Sequence, residues 1–198
     1  MTAAWLRPDL AAIFRAIEPG SRVLDIGCGD GALMAALRDE KGVDARGLEI
    51  DGTLVERCVS RGLSVVQGDA DNDLADYPDR GFDYTVLSQT LQTATRPDRM
   101  LDELLRVGRQ AFVSFPNFAH WRTRSALMLG GRMPVTRALP VSWYETQNIH
   151  HVTVDDFRDL ARAKDATIEE SHFFADDRPI GATGANWRAE FAVFRLSR

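Results

Sequence analysis

Apolar residues at positions 6, 10, 13, 14 and 17 recur at the spacing of one helix face, which predicts a helix over 6–17, closed by Glu18-Pro19-Gly20. The pattern then alternates between short apolar runs and amphipathic segments. The runs at 22–26, 45–49, 64–67, 84–88 and 111–115 read as strands. Between them, helical patterns span 32 to about 38, 52–60 and 98–107, the last opening at Pro97. Thr85-Val86-Leu87 is nearly all apolar and rich in β-formers, as a strand covered on both faces requires. Residues 116–150 form a long stretch with no clear period. A helix over 154–163 and two closing strands, near 167–174 and 190–196, complete the chain. Strands alternating with helices imply a parallel sheet covered on both faces. The closing pair, joined without an obvious helix, suits an antiparallel hairpin at one edge. The expectation is an α/β, Rossmann-like fold: a mostly parallel seven-stranded sheet with an antiparallel edge hairpin, and residues 1–198 as a single domain carrying an insert at about 117–150.

Composition changes this picture little. A chain of 198 residues with 44% hydrophobic content is long enough for one good core. A net charge of −5 weighs against nucleic acid as the main partner. The two cysteines, Cys28 and Cys58, read as free thiols, which suits a reducing cytoplasm. Neither a membrane-length apolar run nor a basic-then-apolar leader is visible, so the expectation is a cytoplasmic protein with no membrane partner. No grouping has metal-ligand spacing.

The chemistry starts at Val23-Leu24-Asp25-Ile26-Gly27-Cys28-Gly29-Asp30-Gly31, a strand running into a glycine turn and then a helix. Such glycines let the backbone turn tightly and approach a ligand. A helix N-terminus adds free N–H groups and a positive dipole end. Gly27, Gly29 and Ala32 formally meet the dinucleotide fingerprint, with acidic Glu49 about 20 residues on. Asp25 opposes that reading, because a carboxylate two residues before the first glycine repels a pyrophosphate. It suits the ammonium and sulfonium of S-adenosylmethionine. The D-x-G-x-G pattern resembles motif I of the class I S-adenosylmethionine-dependent methyltransferases. That resemblance implies a methyltransferase fold in which Asp25 and the backbone of Gly27, Cys28, Gly29 and Gly31 hold the methionine half of the cofactor.

Three more sites fall at strand ends, where parallel-sheet topology gathers ligands. Glu49, followed by Ile50 and Asp51, is placed to accept from both ribose hydroxyls. Asp51 is the other candidate, but Glu49 directly ends the apolar run. Asp69 and the Ala70 N–H suit the adenine. Ser88-Gln89-Thr90-Leu91-Gln92 arrives beside the expected methyl group. Singly, each acid also fits a helix cap or a solvated turn. Methyl transfer asks for alignment more than for a base, so the acceptor side is less defined. Gln89, Gln92, Tyr144 and His150 are the candidates there, while His150 and His151 also fit caps or local packing.

Residues 117–144 hold four arginines (122, 124, 132 and 137) and no acid, together with Trp121, Met128, Met133, Trp143 and Tyr144. These residue types are enriched at protein interfaces. A lid over the pocket is the competing reading. Ser88–Gln92, Val113-Ser114-Phe115-Pro116-Asn117-Phe118 with His120-Trp121, Gly131-Arg132-Met133-Pro134-Val135-Thr136, and Trp143-Tyr144 with Asn148-Ile149-His150 together resemble the MetW family of methionine-biosynthesis proteins. The chain departs from that pattern at Gln147, His151 and Val152. The resemblance implies a protein that binds S-adenosylmethionine or S-adenosylhomocysteine and partners a homoserine O-acyltransferase in methionine biosynthesis. A small-molecule methyltransferase is the alternative.

Overall fold

The computed structural model describes residues 5–136 and 139–198. Among these residues the strands are β1 (Arg22–Ile26), β2 (Asp44–Glu49), β3 (Ser64–Gln67), β4 (Phe82–Ser88), β5 (Gly108–Pro116), β6 (Thr167–Ala175), β7 (Arg178–Ile180) and β8 (Phe191–Ser197). They form one sheet in the order β3-β2-β1-β4-β5-β8-β6-β7. The first five run parallel, with Ile26 opposite both Leu48 and Leu87. The last three are antiparallel to their neighbours. The sheet therefore has eight strands, not the expected seven. The extra one, β7, is three residues long and pairs with β6 across Asp176 and Asp177. Both aspartates have positive φ, as a two-residue hairpin turn demands. The two predicted closing strands, β6 and β8, do pair antiparallel with each other at this end of the sheet, β8 lying between β5 and β6, and β7 adds the outermost strand.

Strand alternation sends the core to both faces. Val23, Tyr84, Val86 and Phe112 pack with α1 (Pro8–Ala16) and α2 (Ala32–Lys41) on one side. Leu24, Ile26, Leu87, Val113 and Phe115 pack with α5 (Pro97–Val107) and α7 (Val154–Ala163) on the other. A third, smaller cluster of Cys28, Met34, Cys58 and Leu63 lies under the glycine turn, between α2 and α3 (Gly52–Ser60). Both cysteines are buried free thiols. The other α-helices among the described residues are single turns at α4 (Ala70–Asp73) and α8 (Ala185–Arg188), and a longer α6 (Trp121–Gly130).

The insert, expected to be irregular, thus begins with a helix. His120 caps α6, its Nδ1 accepting from the Arg122 N–H at 3.4 Å. Burial pulls the His120 pKa below its usual value, which keeps that nitrogen an acceptor. Both ends of the insert are pinned to the body. Asn117 donates to the carbonyls of Asn186 and Ala189 and accepts from the N–H groups of Ala119 and Val154. The Phe118 N–H donates to the Val152 carbonyl at 3.0 Å. His150 and His151 do not cap α7; Thr153 does, accepting from Asp156 N–H. His151 instead packs edge-on against Phe118, with ring centroids 4.5 Å apart. No described helix is long and apolar enough to cross a membrane.

Candidate functional site

The parallel strands deliver their C-terminal ends to one rim, and two cavities lie along it. One, of about 500 Å³, is lined by Arg7, Asp25, Gly27, Cys28, Gly29, Ser88, Gln89 and other residues of α1 and the glycine turn. The second, of about 530 Å³, is lined by Glu49, Ile50, Asp69, Ala70, Thr93, Met100 and Gln147 among others. Gly27, Gln89 and Thr90 line both, so the two are lobes of one cleft. That combined space is in the range of ordinary cofactor sites.

The turn is built as the sequence requires. Gly27, Gly29 and Gly31 have φ of 67°, 59° and 74°. A Cβ on Gly27 would meet Thr90 Oγ1 at 2.6 Å, and one on Gly31 would meet Cys58 Sγ at 2.9 Å. A Cβ on Gly29 would meet nothing within 4 Å. Gly27 and Gly31 are thus held by packing, whereas Gly29 borders open space in the cleft. Cys28 beside it is no nucleophile, since burial pushes its thiol pKa well up.

Asp25 is 3% exposed and lines the first lobe. Its pKa is pushed up from 3.8 to about 7, first by burial and then by the nearby Glu49 carboxylate, with Arg7 pulling the other way. A buried carboxylate in that condition gains strongly from a cation. Arg7, which sequence reasoning passed over, shares the lobe and brings a guanidinium from just before α1. Together they offer one group for an ammonium and one for a carboxylate, the two ends of an amino acid.

Glu49 is buried and accepts from the Gly29 N–H at 2.8 Å, the Ile50 N–H at 3.0 Å and the Asp51 N–H at 3.1 Å. With about four lone-pair sites on a carboxylate, roughly one remains for a ligand. The Gly29 N–H is correspondingly turned to Glu49 and not to the cleft. Asp51 is the N-cap of α3, accepting from Thr53 and Leu54 N–H, which leaves Glu49 as the acid for the cleft. Asp69 caps α4 by accepting from Asp71 N–H at 3.0 Å and also takes Asn72 Nδ2 at 2.7 Å. Ala70 opens that turn, so its N–H has no intrahelical partner.

The acceptor-side candidates separate. Gln89 stands at the junction of the lobes with φ of 52°, an uncommon backbone for a non-glycine residue and of the kind that collects at functional sites. Ser88 lines the first lobe, its hydroxyl bonded to Asp9 and Ser114. Gln92 is buried, with Nε2 donating to the Gln89 carbonyl and Oε1 without a partner. Its carbonyl accepts from the N–H groups of Ile149 and His150, and His150 Nε2 is also buried without a partner. Tyr144 is 71% exposed, packs edge-on against Trp143 and lines neither lobe. The insert thus has two parts. Its end meets the cleft at Gln147, which lines the second lobe, while Ile149 and His150 are tied to the Gln92 carbonyl and, like Gln92, line neither lobe. Its middle carries exposed Met128, Leu129, Val135, Trp143 and Tyr144. Of its four arginines, Arg122 pairs with Glu190 at 3.1 Å, and Arg124 donates to the Ala119 carbonyl and lies over Trp187. Arg132 is exposed. Arg137 lies outside the described residues.

The family described as methionine biosynthesis protein MetW matches residues 7–196. A bifunctional methionine biosynthesis protein MetXA/MetW from Rhodopirellula baltica is 35% identical over 182 residues, covering 87% of this chain and 29% of the relative. The chain therefore spans under a third of that protein's length. Among solved structures, a SAM-dependent methyltransferase from Archaeoglobus fulgidus superposes with a TM-score of 0.74 at 15% identity, covering 99% of this chain and 94% of that one. Phosphoethanolamine N-methyltransferase 2 from Haemonchus contortus, in complex with S-adenosyl-L-methionine, gives 0.70 at 13% identity, covering 96% and 52%. At these identities the structural likeness establishes the class I methyltransferase fold.

Proposed function

Since the chain belongs to the MetW family of methionine biosynthesis proteins, we propose that it binds S-adenosylmethionine or S-adenosylhomocysteine in the two-lobed cleft and partners a homoserine O-acyltransferase through its insert. The observation that carries the cofactor half is Asp25, a buried carboxylate in need of a cation with Arg7 lining the same lobe. The methionine end of the cofactor supplies an ammonium for Asp25 and a carboxylate for Arg7. Its ribose then meets the remaining acceptor site of Glu49, with Ile50 alongside. The adenine lies against Asp69 and the Ala70 N–H. The cofactor itself supplies a sulfonium-activated methyl group. This chain's part is to hold it, with Gln89 and Ser88 at the methyl-facing end.

Glu49→Ala tests the ribose contact. The ribose would lose a charge-assisted acceptor, so titration calorimetry should show S-adenosylhomocysteine binding weakened by about 1–3 kcal/mol. Unchanged affinity would remove Glu49 from the site.

The partner half rests on two observations. The relative's name joins MetXA and MetW in one bifunctional protein. The middle of the insert also leaves a run of large apolar side chains in solvent: Met128 is 79% exposed, Leu129 81% and Trp143 73%. Arg122 and Arg124 are engaged within the fold, whereas Arg132 and Trp143 are exposed, which makes these two the hot-spot residues to test. Changing both to alanine should abolish co-purification with the homoserine acyltransferase of the same cell while leaving cofactor affinity unchanged. If cofactor affinity fell and the complex survived, the whole insert would be a lid. The small-molecule methyltransferase reading, favoured by Gln147 on the cleft wall, would then take precedence.

A further inference from the structure

Asp9 lies in the opening turn of α1, is fully buried and lines neither lobe of the cleft. One of its oxygens, Oδ2, accepts from Ser88 Oγ at 3.0 Å, Ser114 Oγ at 3.1 Å, Gln89 Nε2 at 3.3 Å and Arg7 Nη2 at 3.4 Å. These donors come from the end of β4 and the residue after it, from β5, and from just before α1.

A carboxylate can only accept, and this sets the direction of every bond around it. Both serine hydroxyls point their single proton at Asp9. Their lone pairs are left to receive Arg7 Nη2 at 3.1 Å, on Ser88, and the Gln89 N–H at 3.2 Å, on Ser114. With its Nε2 turned to Asp9, Gln89 presents Oε1 to Arg7 and accepts from Nη1 at 3.3 Å. Arg7 is thus held by Asp9, Ser88 and Gln89, and the last two are themselves bonded to Asp9. The Arg7 side chain is 52% exposed, so an ion pair alone would fix it weakly. A long side chain of that exposure keeps one rotamer only where several contacts hold it.

We infer, on the cofactor reading above, that Asp9 is a positioning residue for the carboxylate end of the ligand: it touches no ligand atom and acts by fixing the Arg7 guanidinium and the Gln89 amide in the first lobe. The site then prefers ligands that carry a carboxylate beside their ammonium.

The test compares S-adenosylmethionine with decarboxylated S-adenosylmethionine, which keeps the ammonium, sulfonium, ribose and adenine and lacks only the carboxylate. Titration calorimetry of the wild type should show the carboxylate-bearing ligand bound at least tenfold tighter. Asp9→Ala should shrink that preference to about threefold or less while the decarboxylated ligand keeps its wild-type affinity. A merely structural Asp9 would weaken both ligands alike. Two effects oppose in this variant: losing the Asp9 charge lifts a repulsion on the ligand carboxylate, and losing the wiring frees Arg7. The guanidinium paired with Asp9 already offsets that charge, so the lost wiring decides the sign. Because Asp9→Ala also loosens the junction of α1 with β4 and β5, Arg7→Lys provides a second variant, on a half-exposed residue. Lysine keeps the charge but lacks the fork that reaches Asp9, Ser88 and Gln89 together, and it should lose the preference as well. Should Asp9→Ala not fold, the Arg7→Lys result alone decides. Equal binding of the two ligands by the wild type, a preference that survives or grows in either variant, or an equal loss of both ligands in folded Asp9→Ala would overturn the inference. A wild type that binds neither ligand would sink the cofactor reading itself, and the role of Asp9 with it.

Discussion

At pH 8 the Asp25→Asn protein should withstand more denaturant than the wild type and yet fail to bind S-adenosylhomocysteine. Both effects come from one buried carboxylate. Its pKa is 3.8 when unfolded and about 7 when folded. Between those values the folded state holds a proton that the unfolded state has released, so stability falls as pH rises through that window and levels off above it. At about 1.4 kcal/mol per pH unit, the loss reaches at most about 4 kcal/mol. Asparagine carries no charge and escapes it, so the gain should be near zero below pH 4 and largest above pH 7. Denaturant melts at pH 4, 6 and 8 measure this directly, and a constant difference across pH would contradict it. The wild type should also bind S-adenosylhomocysteine less tightly below pH 7, approaching tenfold per pH unit, with proton release on binding. A group whose ionisation destabilises the ligand-free fold is the kind of strain that binding sites hold and a ligand relieves.

The second large effect is expected at the glycine turn. Gly29→Val puts a β-branched residue at φ of 59° and projects it into open cleft space. The backbone strain is about 1–3 kcal/mol, which a domain of ordinary stability survives. The side chain would then occupy volume that the cofactor needs. Circular dichroism should show the fold retained, while titration shows S-adenosylhomocysteine binding lost. Normal binding by the variant would mean that the ligand does not lie on this turn. Gly31→Val is the contrast, because its side chain would run into Cys58 and should damage the fold itself.

The strands and the glycine turn were legible because a buried parallel sheet writes itself into the chain as short apolar runs, and a tight strand-to-helix turn as glycines. β1 and β3 fall on the predicted residues, as do α3 and α7. What escaped had no periodic signature. Helix α6 carries exposed Leu127, Met128 and Leu129 on its outer side, so its apolar residues do not repeat at helical spacing. Strand β7 has three residues, one of them proline, and only the Asp176-Asp177 turn hinted at it. Arg7 and Asp9 read as ordinary residues at a helix start. Only folding brings them against Ser88, Gln89 and Ser114, some 80 to 105 residues away in sequence. The acids at strand ends proved to have two duties. Asp69 is both a cap and a wall of the cleft, and Glu49 ties the glycine turn to β2 while facing the second lobe.

Isothermal titration of the wild-type protein with S-adenosylhomocysteine, repeated in the presence of NAD, tests the cofactor reading most directly. Saturable binding at one site per chain, undisturbed by NAD, is the predicted result. Tight binding of NAD, with neither S-adenosylhomocysteine nor S-adenosylmethionine bound, would contradict it.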